Sequence, residues 1–263
     1  MTRGAKRAAA WLTALAVAGF MVAPAFAERL VVSLSTHRVT IAANFVGEDL
    51  VLFGTIEPDP AGQQLRSIYD LVVTVAGPKK DFRTRRKERV LGIWVNVDAR
   101  EFVRVPSYLA VLSNRPAKEI AGPDVARRLQ LGLDNYILTQ RIGPDFADTV
   151  RDDPFRTAFI KLEQEHGMYY EKPTSVTYLT PTVFRATIPL PSNAPIGTYN
   201  VDVKLLGGGE LLTRTTTALE ITKVGIEQFV ADAARDYGFF YGLATAFLAL
   251  LTGWFASVVF RRD

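Results

Sequence analysis

The run "LPSNAPIGTYNVDVKLL", residues 190–206, decides the fold class. Pro195 and Gly197 mark a turn. Beyond it Tyr199, Val201, Val203 and Leu205 alternate with Asn200, Asp202 and Lys204. Period two is the mark of a β-strand, because successive side chains leave on opposite faces. The strand runs through Gly207-Gly208-Gly209, which predicts a tight hairpin, into "ELLTRTTTALEIT" (210–222). Just upstream, Phe184, Ile188 and Leu190 alternate with Arg185 and Thr187.

Working outward, the same pattern fills the first third of the chain. "RLVVSLS", "HRVTIAA", "EDLVLFGTIE", "YDLVVTVAG", "RVLGIWVNVD" and "FVRVPSYLAVLS" are β-branched or aromatic runs separated by turn residues. Leu71, Val73 and Val75 share a face, as do Ile93, Val95 and Val97, and Trp94 is expected in the core or at an interface. The turn before Tyr199, and a tyrosine able to pin that corner, resemble a late strand of an Ig-like domain. Between the β regions, about 118–170, the spacing predicts a two-helix insert. Asp124 caps one helix, with Val125, Leu129, Leu133 and Tyr136 on a face. Asp153 caps the other, with Pro154 at its first position, a stripe of Phe155, Phe159 and Leu162, and Gly167 at its end. The expected architecture is a mainly β, Ig-like sandwich region over 28–223 carrying that insert.

The two ends place this region. Residues 1–27 have a positive start (Arg3, Lys6, Arg7), an apolar run and an Ala25-x-Ala27 site, the layout of a secretory signal peptide. From Phe239 to Phe260 there is no charge in 22 residues, ~33 Å of helix and enough to cross a ~30 Å hydrocarbon core. Arg261 and Arg262 follow, and basic flanks favour the cytoplasm. The expected topology is an exported domain, a juxtamembrane helix at 224–237, one inner-membrane span at 238–260 and a cytoplasmic tail at 261–263. Within the span, Gly238, Gly242, Ala246, Ala249, Gly253 and Ser257 fall in an arc of roughly 100°, opposite Phe240, Leu243, Phe247, Leu251 and Trp254. A small-residue face lets another helix backbone approach, in a homodimer or in a multi-span partner.

Charge excludes one class of partner. Residues 28–237 hold 26 Lys or Arg against 26 Asp or Glu, so the exported domain is neutral and nucleic acid is not an expected partner. The absence of Cys excludes thiol catalysis and thiolate metal sites. One segment stands out: "PKKDFRTRRKERV", residues 78–90, in which Lys79, Lys80, Arg83, Arg85, Arg86, Lys87 and Arg89 face only Asp81 and Glu88. It reads as a basic hairpin. Its charges protect a strand edge, meet anionic head groups, or contact an acidic partner or an oxyanion. On a strand, Arg85, Lys87 and Arg89 share one face and Arg86 the other.

Catalytic constellations are not legible, and no enzyme, cofactor or metal site is expected. There is no G-x-S-x-G and no H-E-x-x-H. Glu163-x-x-His166 has a ligand spacing but stands alone, and reads as a surface pair at a helix end.

The segments "ERLVVSLSTHRVTIAANFVGEDLVLFGTI", "RRKERVLGIWVNV", "LPSNAPIGTYNVDV" and "YGLATAFLALLTGWFASVVFRRD" resemble an alphaproteobacterial family of transmembrane proteins of unknown function. That resemblance implies a signal peptide, a C-terminal span and an envelope accessory role, with genes often near a permease resembling sulfite exporters. It carries over no functional residues. The expected function is a membrane-anchored periplasmic accessory protein, a non-catalytic partner of an inner-membrane transporter. The alternative is a periplasmic module that binds an oxyanion and hands it to a permease.

Overall fold

The structure is a computed structural model that describes residues 28–42, 45–57, 69–142, 145–223 and 234–259. The expected signal peptide, most of the juxtamembrane segment and the tail lie outside the described residues.

The chain is mainly β, with three sheets among the described residues. The first sheet is antiparallel and orders β1 (Arg29–Leu34), β3 (Gly47–Glu57), β12 (Val183–Pro191) and β11 (Val176–Tyr178) as β1-β3-β12-β11. The second is six-stranded: β10 (Tyr169–Pro173), β7 (Leu109–Ser113), β4 (Asp70–Ala76), β13 (Gly197–Gly207), β14 (Glu210–Lys223) and β2 (Arg38–Ile41). Its two edge pairs, β10–β7 and β14–β2, are parallel, and its inner pairs are antiparallel. The third runs β5 (Lys79–Val90), β6 (Ile93–Pro106), β8 (Thr139–Ile142), β9 (Asp145–Asp148).

Alternation builds the sandwich. Leu50, Leu52, Ile56, Phe184 and Ile188 of the first sheet meet Leu71, Val73, Val75, Val201, Val203 and Leu205 of the second, all buried. Within the first sheet, Gly54 leaves room for the ring of Phe184, its cross-strand neighbour, since a Cβ there would sit 2.3 Å from that ring. The Tyr199 hydroxyl donates to the Pro195 carbonyl at 2.7 Å, so the tyrosine does pin its corner. Gly208 and Gly209 both take positive φ, as a two-residue hairpin turn requires.

The other face of the six-stranded sheet is covered as well. Val72 and Leu206 join Phe102, Val105, Leu131, Leu133, Leu138 and Phe159 in a second core. Hence β4 is buried along nearly its whole length, as strands covered on both sides are. The helices here are α1 (Ala117–Ile120), α2 (Pro123–Arg128) and α3 (Pro154–Glu165). α3 begins as expected: the Asp153 carboxylate accepts from the amides of Phe155 and Arg156 at 2.7 and 3.3 Å, and Pro154 opens the helix. Its stripe shifts, because Phe155 and Phe159 are buried but Leu162 is exposed.

The first expected helix is corrected. α2 starts from Gly122, not Asp124, and stops at Arg128. The chain then turns at Gln130 and Gly132, both with positive φ, into a single 3-10 turn at Leu133–Asn135. One helix would put Leu129 and Leu133 on one face and Leu131 on the opposite one. The turn buries Leu131 and Leu133 in the second core and packs Leu129 against it.

Phe159 is the hub of this layer, stacked on Phe102 at 4.7 Å and edge-on to Phe82 and Tyr169 at 5.3 and 5.7 Å. Phe159→Ala is expected to cost about 3–5 kcal/mol, read as a lowered urea midpoint of the full chain in detergent. An unchanged midpoint would contradict this packing.

Candidate functional site

The basic segment, read as a basic hairpin, is one strand of a hairpin. β5 spans Lys79–Val90 at the edge of the third sheet. "RVLGIWVNVD", read as one strand, is folded in two at Leu91-Gly92, both with positive φ. That is the requirement of a type I′ turn, and Gly92 meets it freely. Apolar residues on both sides of Gly92 concealed the turn. The result is a long hairpin arm. Phe82 pairs with Phe102 at its root, and from there eight residue steps of ~3.3 Å carry β5 about 26 Å to Val90.

The register sorts the arm's faces. Arg89 lies opposite Trp94 and Lys87 opposite Asn96, so Arg85, Lys87, Arg89 and Trp94 share a face. Val90, Ile93 and Val95 share the other with Arg86 and Glu88, which pair at 3.2 Å. Val97 falls in an irregularity between Asn96 and Asp98 and leaves the expected stripe. None of these apolar residues is in the core, and Trp94 is 66% exposed.

The predicted cations are strung along β5. Lys79 borders a cavity with Val103, Arg104, Thr139 and Phe146. Lys80 sits 5.7 Å from the Phe82 ring. Arg83 lies opposite Glu101. Arg85, Arg86 and Lys87 form one wall of a groove of about 270 Å³, faced by Pro154, Phe155, Ala158 and Leu162 of α3. Arg89 Nε donates to the Gly92 carbonyl at 3.3 Å.

A second charged site was not anticipated. Asp202 and Lys204 were read as the polar partners in the β13 alternation, yet both are buried because the second layer covers their face. Lys204 is 4% exposed; its Nζ lies 2.6 Å from one Asp202 oxygen, while Arg214 Nε donates to the other at 2.5 Å. Burial lowers the Lys204 pKa, and Asp202 opposes that shift. With Arg128, Gln130, Tyr136, Asn200 and Thr74 they line a cavity of about 130 Å³. Three cations there face one carboxylate. Spacing alone gave no signal for it, because the residues that cover this face lie far away in sequence.

The C-terminal segment forms α4 (Gly238–Val259), an apolar helix of 22 residues, ~33 Å long. Thr245 and Thr252 turn their hydroxyls back onto the Gly242 and Leu248 carbonyls at 2.9 and 2.7 Å, which satisfies them without water. A Cβ at Gly238, Gly242 or Gly253 would meet nothing within 4 Å, so that stretch of the small-residue face with Ala246 and Ala249 is uncovered. Ser257, on the same arc, is exposed.

Glu163 and His166 do not form a surface pair. His166 is exposed but Glu163 is buried, with 4.0 Å between them. No cluster of three or more metal-ligating side chains occurs among the described residues.

A β-rich body followed, among the described residues, by one helix long and apolar enough to cross a membrane fits a membrane-anchored protein. The family described as "Putative transmembrane protein (Alph_Pro_TM)" matches residues 29–262, and the chain belongs to it. No curated protein matches the chain.

Burial raises the Glu163 pKa, with His166 and Lys80 pulling the other way. Its folded value thus exceeds the unfolded one, near 4.3. Its contribution to stability is complete below that value and is lost as pH rises through the folded pKa. Glu163→Gln is therefore expected to raise the urea midpoint at pH 7 and to leave it nearly unchanged at pH 4. Equal effects at both pH values would contradict the shift.

Proposed function

We propose that this chain is a membrane-anchored periplasmic accessory protein, a non-catalytic partner of an inner-membrane transporter such as a sulfite-exporter-like permease. The observation that carries the reading is the uncovered small-residue face of α4. Lipid tails are as apolar as leucine, so helices in a bilayer associate by close packing, and glycine permits the closest approach. Gly242 and Gly253 lie on that face with open space before them. The neutral exported domain and the basic arm add a surface for contact outside the bilayer. A homodimer through the same face is the competing use of α4.

The test is purification of the full-length protein from native membranes in mild detergent, with mass spectrometry of what accompanies it. A permease recovered with the wild type is expected to be lost with Gly242→Leu, Gly253→Leu. Recovery of this chain alone, or the same list from both samples, would remove the transport partner.

The oxyanion reading is favoured by a different place from the one the sequence suggested. Arg85, Lys87 and Arg89 are exposed along a strand, whereas Arg128, Lys204 and Arg214 converge on one cavity with a single carboxylate. Arginine forks suit tetrahedral anions. If this cavity captures solute, millimolar sulfite, sulfate or phosphate raises the melting temperature of the wild type and not of Arg128→Gln. The same shift in Arg85→Ala, Lys87→Ala as in the wild type would separate the two places. No shift with any of the anions would end this reading.

A further inference from the structure

We infer that the tip of the hairpin arm inserts into the interfacial layer of an anionic phospholipid leaflet, giving the anchored domain a second hold on the bilayer.

The tip is apolar where the fold gives it nothing to pack on. Val90, Leu91, Ile93, Trp94, Val95 and Val97 are all exposed, with Leu91 at 99% and Ile93 at 69%. Large apolar side chains grouped this closely on a surface mark a contact site. The turn makes the point more sharply. Leu91 has φ +51° at a position where a type I′ turn favours Asn, Asp or Gly. A leucine there is strained, and its side chain touches little of the chain that could offset the strain. The placement makes sense if the side chain is needed outside the fold.

The chemistry behind the tip selects the occupant. Arg89, Lys87 and Arg85 recede from the turn on the Trp94 face, and Arg86 on the other. From Arg83 to Arg100 the arm carries six Lys or Arg and two carboxylates. An indole prefers the membrane–water interface, and cations just above it meet lipid phosphates. A two-stranded hairpin leaves the backbone groups of its outer edges unpaired, so its end suits the hydrated interfacial layer and not the hydrocarbon core. The tether favours the encounter. β14 ends at Lys223 and α4 begins at Gly238, so the connection reaches at most about 50 Å. Contact with the bilayer that α4 occupies is therefore intramolecular. This inference rests on α4 anchoring the chain and not on the transport partner.

The chain has no Cys, so single labels are specific. Leu91→Cys, with Ser192→Cys as an exposed control, carries an environment-sensitive fluorophore in the full-length chain. Each is reconstituted in phosphatidylcholine vesicles with and without phosphatidylglycerol. The label at 91 is expected to shift to the blue and be quenched by acyl-chain nitroxides in the anionic vesicles, while the label at 192 stays wet. Adding Arg85→Gln, Lys87→Gln and Arg89→Gln is expected to lower the ratio of docked to free arm about a hundredfold. Ile93→Cys repeats the reading with Leu91 intact. Labels at both 91 and 93 that stay as wet as 192 in both vesicle types overturn the inference. So does protection seen only in native membranes, which would make the occupant a protein. Flotation separates the causes. A chain that does not float with the vesicles fails the anchor reading and this one with it, whereas a chain that floats with a wet tip fails this one alone.

Discussion

Burial of the six-stranded sheet on both faces is the constraint on which the rest of the molecule depends. β4 and β13 send Leu71, Val73, Val201 and Val203 into the sandwich and Val72 and Leu206 into the second core. A sheet covered on one side would leave Asp202 and Lys204 in water. Covered on both, it holds them in a charged cavity whose carboxylate is shared by Lys204 and Arg214. Breaking such a group by removing one member leaves an unpaired buried charge, which is why the set must be kept or replaced together.

The second core also sets where the arm stands. Phe82 and Phe102, opposite each other at its root, clasp Phe159 of α3. Arg156, the next buried residue along that helix from Phe155, is 1% exposed. It directs its guanidinium to the carbonyls of Leu133, Asp134 and Tyr136. Helix, 3-10 turn and arm root are thus one packed unit, and only the outer part of β5 and β6 is left in solvent. A rooted arm with an apolar end and, among the described residues, one long apolar helix are two apolar surfaces that the β body leaves uncovered.

Much of this was legible in the sequence, for reasons that differ by element. The period-two runs of β3, β4, β12 and β13 announced themselves because each has at least one face fully apolar. The Asp153–Pro154 start of α3 and the long apolar helix α4 were readable from local chemistry alone. The failures share a cause: local patterns do not reveal what lies above them. Leu129 and Leu133 fit a helical face, but Gln130 and Gly132 turn the chain so that Leu131 is buried as well. Gly92 inside an apolar run looked like part of a strand and is a turn. Asp202 and Lys204 looked like a solvated face because the layer covering them comes from residues far away in sequence. Of the candidate site, the small-residue face and the Arg85, Lys87, Arg89 alignment could be read from spacing, whereas the exposure of Leu91 and Trp94 could not.

Orientation across the membrane is the claim on which contact with an envelope partner turns, and cysteine accessibility measures it directly. Ser192→Cys and Asp263→Cys, each in the otherwise Cys-free full chain, would be exposed in spheroplasts to a maleimide that does not cross membranes. The account predicts labelling at 192 in intact spheroplasts and at 263 only after detergent. Labelling at 263 with protection at 192 would place the β domain in the cytoplasm, and labelling at both would deny that α4 spans.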